Sequence, residues 1–230
     1  MGKNRKNNHK GDQKMKKKIL IIHTGGTIGM VRTEHGFAPK SGALIKELNQ
    51  IRDLDSPDMP EWDLIEFEPL LDSTNVRYEQ WNSIADSIAL YYDKYDGFVV
   101  LHGTDTLAYS ASALSFMLEG LDKPVVFTGA QIPLCELRSD GRDNLITSMM
   151  IAADGVIREV SLCFGDSILR GNRAIKYSAD CAIGEEAASM ILRGLEGFKD
   201  DYESHILNHC CADNVIDKRQ SVPCRGACPA

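Results

Sequence analysis

Three times in this chain a short apolar, largely β-branched run stops at a glycine flanked by threonine, and no other feature limits the fold as much. Ile19–His23 leads into Thr24-Gly25-Gly26-Thr27-Ile28-Gly29, and Phe98–Leu101 leads into His102-Gly103-Thr104-Asp105-Thr106. Val125–Phe127 leads into Thr128-Gly129-Ala130-Gln131, and Ser161–Phe164 is a fourth apolar run. Continuous apolar runs of this length suit strands buried on both faces. The intervening stretches have helical spacing. Leu44, Ile45, Leu48 and Ile51 share one face, and Trp81, Ile84, Ala85, Ile88, Ala89 and Tyr92 predict a helix over 78–93 with one buried side. Leu107 to Leu118 and Asn144 to Ala153 predict two more, while Leu64–Leu71 alternates acidic and apolar residues. Strands alternating with helices imply an α/β fold, a layered and mostly parallel sheet flanked by helices, spanning 15–180.

In such sheets ligands bind at the carboxyl ends of the strands, where these three loops lie. Glycine lets the backbone turn sharply and bring its N–H groups close to a ligand. A phosphate cradle is a poor match, because the first loop lacks both the Lys-Ser/Thr of a P-loop and the dinucleotide glycine spacing. Acyl transfer is a better one. A threonine hydroxyl becomes nucleophilic when a neighbour accepts its proton, and Thr104, Asp105 and Lys176 offer a second hydroxyl, a carboxylate and an amine. Burial would lower the pKa of Lys176 towards that role. The N–H groups of Gly103 or Thr104 are candidates for an oxyanion site. Helix N-capping is the plainer reading of Thr104-Asp105, and a solvated charge is the plainer reading of Lys176.

The ends of the chain depart from the middle. Eight Lys or Arg against one Asp give residues 1–18 a charge of +7, within a chain of net −7. Residues 1–14 read as a disordered basic leader, without the apolar core of a signal peptide and without an aromatic element for nucleic-acid recognition. A cytoplasmic location is expected, with thiols kept reduced. No apolar stretch approaches the roughly 20 residues of a membrane span, so neither membrane nor nucleic acid is an expected partner. Five of the seven cysteines fall in 181–230. His205, His209, Cys210, Cys211, Cys224 and Cys228 superficially suggest zinc, but two histidines lead and the last residues supply little to frame a tetrahedral ion. No metal is expected.

Residues 16–180 resemble the N-terminal domain of the bacterial-type L-asparaginases, above all the cytosolic type I branch. The resemblance rests on TGGTIGM at 24–30, Asp72-Ser73, HGTDT at 102–106, TGAQIP at 128–133, the run from Arg138 to Asn144, and RGNRAIK at 170–176. It implies hydrolysis of L-asparagine to L-aspartate and ammonia without a cofactor, in a homo-oligomer. By matching positions Thr27 is the nucleophile, and Thr104, Asp105 and Lys176 form the second catalytic group. Ser73 would take the substrate α-carboxylate and Asp105 its α-ammonium group. Asp72, Gly26, Gly103 and Ala130 complete the substrate-binding set. Two departures stand out. The lid position that holds tyrosine in the family is Phe37, leaving Tyr78 and Tyr109 as other sources of a phenol. After Asp180 the resemblance ends, and 181–230 reads as an atypical tail with a helix over 185–207 followed by an irregular Cys-rich segment. A frameshifted or otherwise truncated product is the expected origin of that change, with a natural short variant or a fusion to another module as the alternatives, and weak or absent activity is the expected consequence. A non-catalytic amino-acid-binding or interaction protein that keeps the pocket is the rival reading.

Overall fold

The computed structural model describes residues 16–175. The leader, the tail with its expected helix and zinc-like residues, and Lys176 lie outside the described residues.

Strand β1 (Lys18–Gly25) is deeply buried, with Ile19, Leu20, Ile21 and Ile22 all at 0% exposure. Its apolar residues alternate between two cores, as a period of two requires. Ile19 and Ile21 pack with Leu44 and Leu48 of helix α1 (Leu44–Leu48) and with Leu145 and Met149 of helix α4 (Gly141–Asp154). Leu20 and Ile22 pack on the other face, with Ile84 and Ile88 of helix α2 (Tyr78–Tyr91) and Ala111 and Leu114 of helix α3 (Leu107–Met117). Strands β4 (Glu61–Leu71), β5 (Gly97–Leu101), β6 (Val125–Thr128) and β7 (Val160–Phe164) complete the parallel part of the sheet. The order is β4-β1-β5-β6-β7-β8, and only β8 (Ser167–Arg170) runs antiparallel to its neighbour. The fold is α/β, as the alternation predicts.

Two expected boundaries move. The helix expected from Asn144 begins at Gly141 and ends at Asp154, where Gly155 takes a left-handed cap at φ 73°. The 44–51 periodicity yields only a helix to Leu48, followed by a 3-10 turn at Arg52–Asp55 that keeps Ile51 and Leu54 buried. Periodicity reports burial, and a tight turn buries the same residues. A small antiparallel hairpin, β2 (Met30–Thr33) and β3 (Gly36–Pro39), has no counterpart in the periodicity, because four-residue strands are too short to show one.

The strand order positions the site. From β1 the chain moves out to the edge at β4, then returns past β1 to β5 and onward. The direction of winding reverses between β1 and β5. Loops leaving the two carboxyl ends therefore diverge and open a crevice.

Candidate active site

At the crevice the ends of β1 and β5 meet backbone to backbone. Gly26 adopts φ +89°, and a Cβ there would lie 2.5 Å from the Cα and N of Gly103. Only glycine satisfies both the conformation and the contact. Thr27 follows at the start of a 3-10 turn, Thr27–Gly29, half-buried, while Thr104 follows Gly103 on the facing loop. Among the described residues, no hydrogen-bond partner engages either hydroxyl.

The loop after β4 forms the third wall. Ser73, 4% exposed, donates its hydroxyl to Asp105 Oδ2 at 2.6 Å, and its carbonyl accepts the Thr106 hydroxyl at 2.7 Å. The second bond bears on the helix-capping reading of this loop. The capping position of α3 falls on Thr106, whose hydroxyl reaches Ser73 and caps nothing. Thr104-Asp105 is therefore not the helix cap, and the Asp105 carboxylate faces the 73 loop. Asp72 accepts the Thr74 N–H at 3.1 Å and an Asn75 amide N–H at 3.0 Å. These bonds, the Thr74 backbone contact foremost, hold its carboxyl below the usual carboxylate range.

Residues to which the motifs assign no role hold these loops. His102 is 1% exposed, and its ring spans two hydrogen bonds. The Trp81 indole N–H donates to Ser110 Oγ at 2.9 Å, and Ser110 Oγ meets His102 Nε2 at 3.0 Å. The Gly103 carbonyl, 2.8 Å from His102 Nδ1, can only accept, so the neutral ring carries its proton on Nδ1 and Ser110 donates to Nε2. Burial pushes this imidazole below its ordinary pKa, so it works as a neutral clamp. The third loop is held by α4. Asp140 accepts the N–H groups of Gln131 and Ile132 at 3.0–3.1 Å. Asn144, one turn on, donates to the Gly129 carbonyl and accepts the Gly165 N–H, both at 2.9 Å. The i, i+4 spacing of Asp140 and Asn144 was the available signal.

A groove of about 370 Å³ opens on the hairpin side of Thr27, lined by Met30, Phe37, Gln131, Ile132 and Leu137 among others. Arg32 bounds it by forking onto Glu136 with bonds of 2.9–3.1 Å, while its guanidinium lies 5.6 Å from the centre of the Phe37 ring. Tyr78 and Tyr109 stand on α2 and α3 and do not line the groove. Of the expected site residues, Gly26, Thr27, Ser73, Gly103, Thr104 and Asp105 therefore share one crevice. Ala130, 1% exposed, lies in the core beneath the third loop. Asp72 is exposed at the 73 turn.

Fold and site together define an open α/β protein with a threonine-lined crevice at its topological switch point. Residues 18–183 match the family model for the N-terminal region of asparaginase. The chain belongs to the asparaginase family. It is 53% identical over 165 residues to L-asparaginase 1 of Escherichia coli K12, covering 72% of this chain and 49% of that one. The crystal structure of L-asparaginase I from Vibrio cholerae superposes with a TM-score of 0.65 at 50% identity, over 69% of this chain and 47% of that one. A probable cytoplasmic L-asparaginase from Campylobacter jejuni gives a TM-score of 0.56 at 32% identity, over 68% and 46%. The chain thus spans about half the length of each of these three relatives.

Proposed function

We propose that the chain carries the catalytic loops of an L-asparaginase, acting on L-asparagine through a threonine nucleophile. The observation that carries this is the apposition of Gly26 and Gly103, which sets Thr27 and Thr104 on neighbouring strand ends at the switch point. Thr27 Oγ attacks the side-chain amide carbon of the substrate, and its proton leaves with ammonia. The product is a β-aspartyl ester on Thr27. Water, activated by Thr104 with Asp105 and Lys176, then cleaves the ester and returns the proton to Thr27. Backbone N–H groups at Gly103 or Thr104 are assigned the oxyanion. Every step uses side chains and water, so no cofactor is invoked.

Substrate recognition follows from the Ser73–Asp105 bond. Ser73 is assigned the α-carboxylate and Asp105 the α-ammonium, yet the two are bonded to each other. Entry of a zwitterion exchanges that one bond for two charge-assisted ones, Ser73 donating to the carboxylate and Asp105 accepting from the ammonium. Asp72, Gly26 and Gly103 shape the rest of the binding set, and Ala130 supports the third loop from the core. The proposal extends to a catalytic domain over 15–180 flanked by the leader and the 181–230 segment, a homo-oligomeric assembly and a cytoplasmic location. The Campylobacter relative's description as cytoplasmic supports that location.

Ammonia release by the purified chain tests this, with L-glutamine run beside L-asparagine. The expected result is release from L-asparagine that falls at least a thousandfold in Thr27→Ala. Undiminished release in that variant sinks Thr27 as nucleophile. Phe37, which lacks a hydroxyl, favours the binding reading: heat on titrating L-aspartate without any turnover would establish it.

A further inference from the structure

One buried pair beneath the Thr27 turn has no part in the steps above. His23 is the last regular residue of β1, 0% exposed, on the same face of the sheet as Ile19 and Ile21. Glu66 sits beside it in register on β4, and its Oε1 lies 3.0 Å from His23 Nδ1. The other carboxylate oxygen accepts the Gly42 N–H at 2.8 Å, in the turn that leads from the β2–β3 hairpin into α1. The opposite edge of the imidazole lies against Gly29, the last residue of the nucleophile turn. A Cβ on Gly29 would fall 2.5 Å from Cε1 and 2.6 Å from Nε2 of His23. Nε2 itself has no partner among the described residues.

Packing alone does not account for this arrangement. An aliphatic side chain would fill the same space without the cost of burying an unpaired nitrogen. A polar pair kept in spite of that cost is expected where it fixes one geometry among several. Here it grips two segments at once. Glu66 holds the ring and the hairpin exit, and the ring props the turn.

We propose that His23 and Glu66 are positioning residues for Thr27, setting the turn Thr27–Gly29 above the sheet and coupling it through Gly42 to the exit of the hairpin. The kinetic part of this inference rests on Thr27 being the nucleophile; the structural part does not. Burial keeps the imidazole neutral against the opposing pull of Glu66, so Nδ1–H donates to the carboxylate and Nε2 carries only a lone pair towards Gly29. His23 and Gly29 are then complementary. The ring needs glycine opposite it, and a methyl at 29 needs a smaller residue at 23.

Four variants of the full chain test the proposal: Glu66→Gln, His23→Ala, Gly29→Ala, and His23→Ala with Gly29→Ala. In proton–nitrogen correlation spectra, Glu66→Gln and His23→Ala are expected to shift the amide signals of Thr27, Gly29 and Gly42. Those of Phe127 and Gly129 should stay in place. Gly29→Ala alone should lower the melting temperature sharply, and the double variant should recover most of that loss. With L-asparagine, Glu66→Gln and the double variant should lose about tenfold in kcat with KM within twofold. Unmoved amides at 27 and 42, or additive losses from the two alanine substitutions, overturn the proposal. So does a change in KM alone. If no variant and not the parent releases ammonia, the asparaginase reading fails, and the spectra and melting temperatures still decide the positioning role.

Discussion

Ser73 and Phe37 are the two residues at which the chemistry is most exposed to test. Ser73 is buried, and its hydroxyl faces the carboxylate assigned to the substrate ammonium. A hydrogen bond to a charged group is worth about 1.5–3 kcal/mol, so Ser73→Ala should raise KM for L-asparagine by roughly 10- to 100-fold. Its kcat should change far less, which steady-state kinetics will separate. Phe37 is 44% exposed and presents its ring to Arg32. Phe37→Tyr adds a hydroxyl on the hairpin side of Thr27, and kcat should rise by about 10²-fold, the usual worth of one polarising contact. An unchanged kcat would show that the lid phenol is not the missing group. Both residues were legible in the sequence by motif. Their partners were not: Arg32 meets the Phe37 ring only because the hairpin pairs the two residues across its strands.

At the scale of elements, two of the contacts that hold the loops of the site differ in what they are worth. Asn144 on α4 is 2% exposed and bridges the Gly129 carbonyl and the Gly165 N–H. Asn144→Ala leaves the buried Gly129 carbonyl without this partner and should cost on the order of 1–3 kcal/mol of stability, read as a lower denaturant midpoint at constant slope. The Arg32–Glu136 fork ties the β2–β3 hairpin to the loop after Ile132 from a largely exposed position. An exposed pair contributes less than about 1 kcal/mol, so Arg32→Ala should leave the midpoint in place. Amide exchange across 30–39 should nevertheless quicken severalfold, because the fork and the Cys135 contact to the Met30 carbonyl anchor that hairpin to this loop. Sequence patterns located every long helix and the buried strands. The hairpin and β8 were missed because strands of four residues give no period, and because β8 pairs antiparallel outside the βα rhythm.

For the whole molecule, the two buried imidazoles set how stability follows pH. His23 and His102 both have pKa values lowered by burial, foremost by loss of hydration. In the unfolded chain each takes a proton near pH 6.5, and in the native state each resists it to lower pH. Unfolding therefore binds protons between those limits. Stability is full above about pH 6.5 and falls as pH drops towards the depressed native values. Urea midpoints from pH 8 to pH 5 should decline through that window, and a flat profile would contradict neutral buried rings. The same two residues divide what was local in this protein from what was not. The amino-acid sequence by itself determined the buried strands, the long helices and the glycine-threonine loops, because hydrophobic period and glycine geometry are written in contiguous residues. Tertiary structure alone decided the pairings: Ser73 with Asp105 across 32 positions, His23 with Glu66 across 43, Arg32 with Glu136 across 104. Strand order and register choose such partners, and both are properties of the assembled sheet.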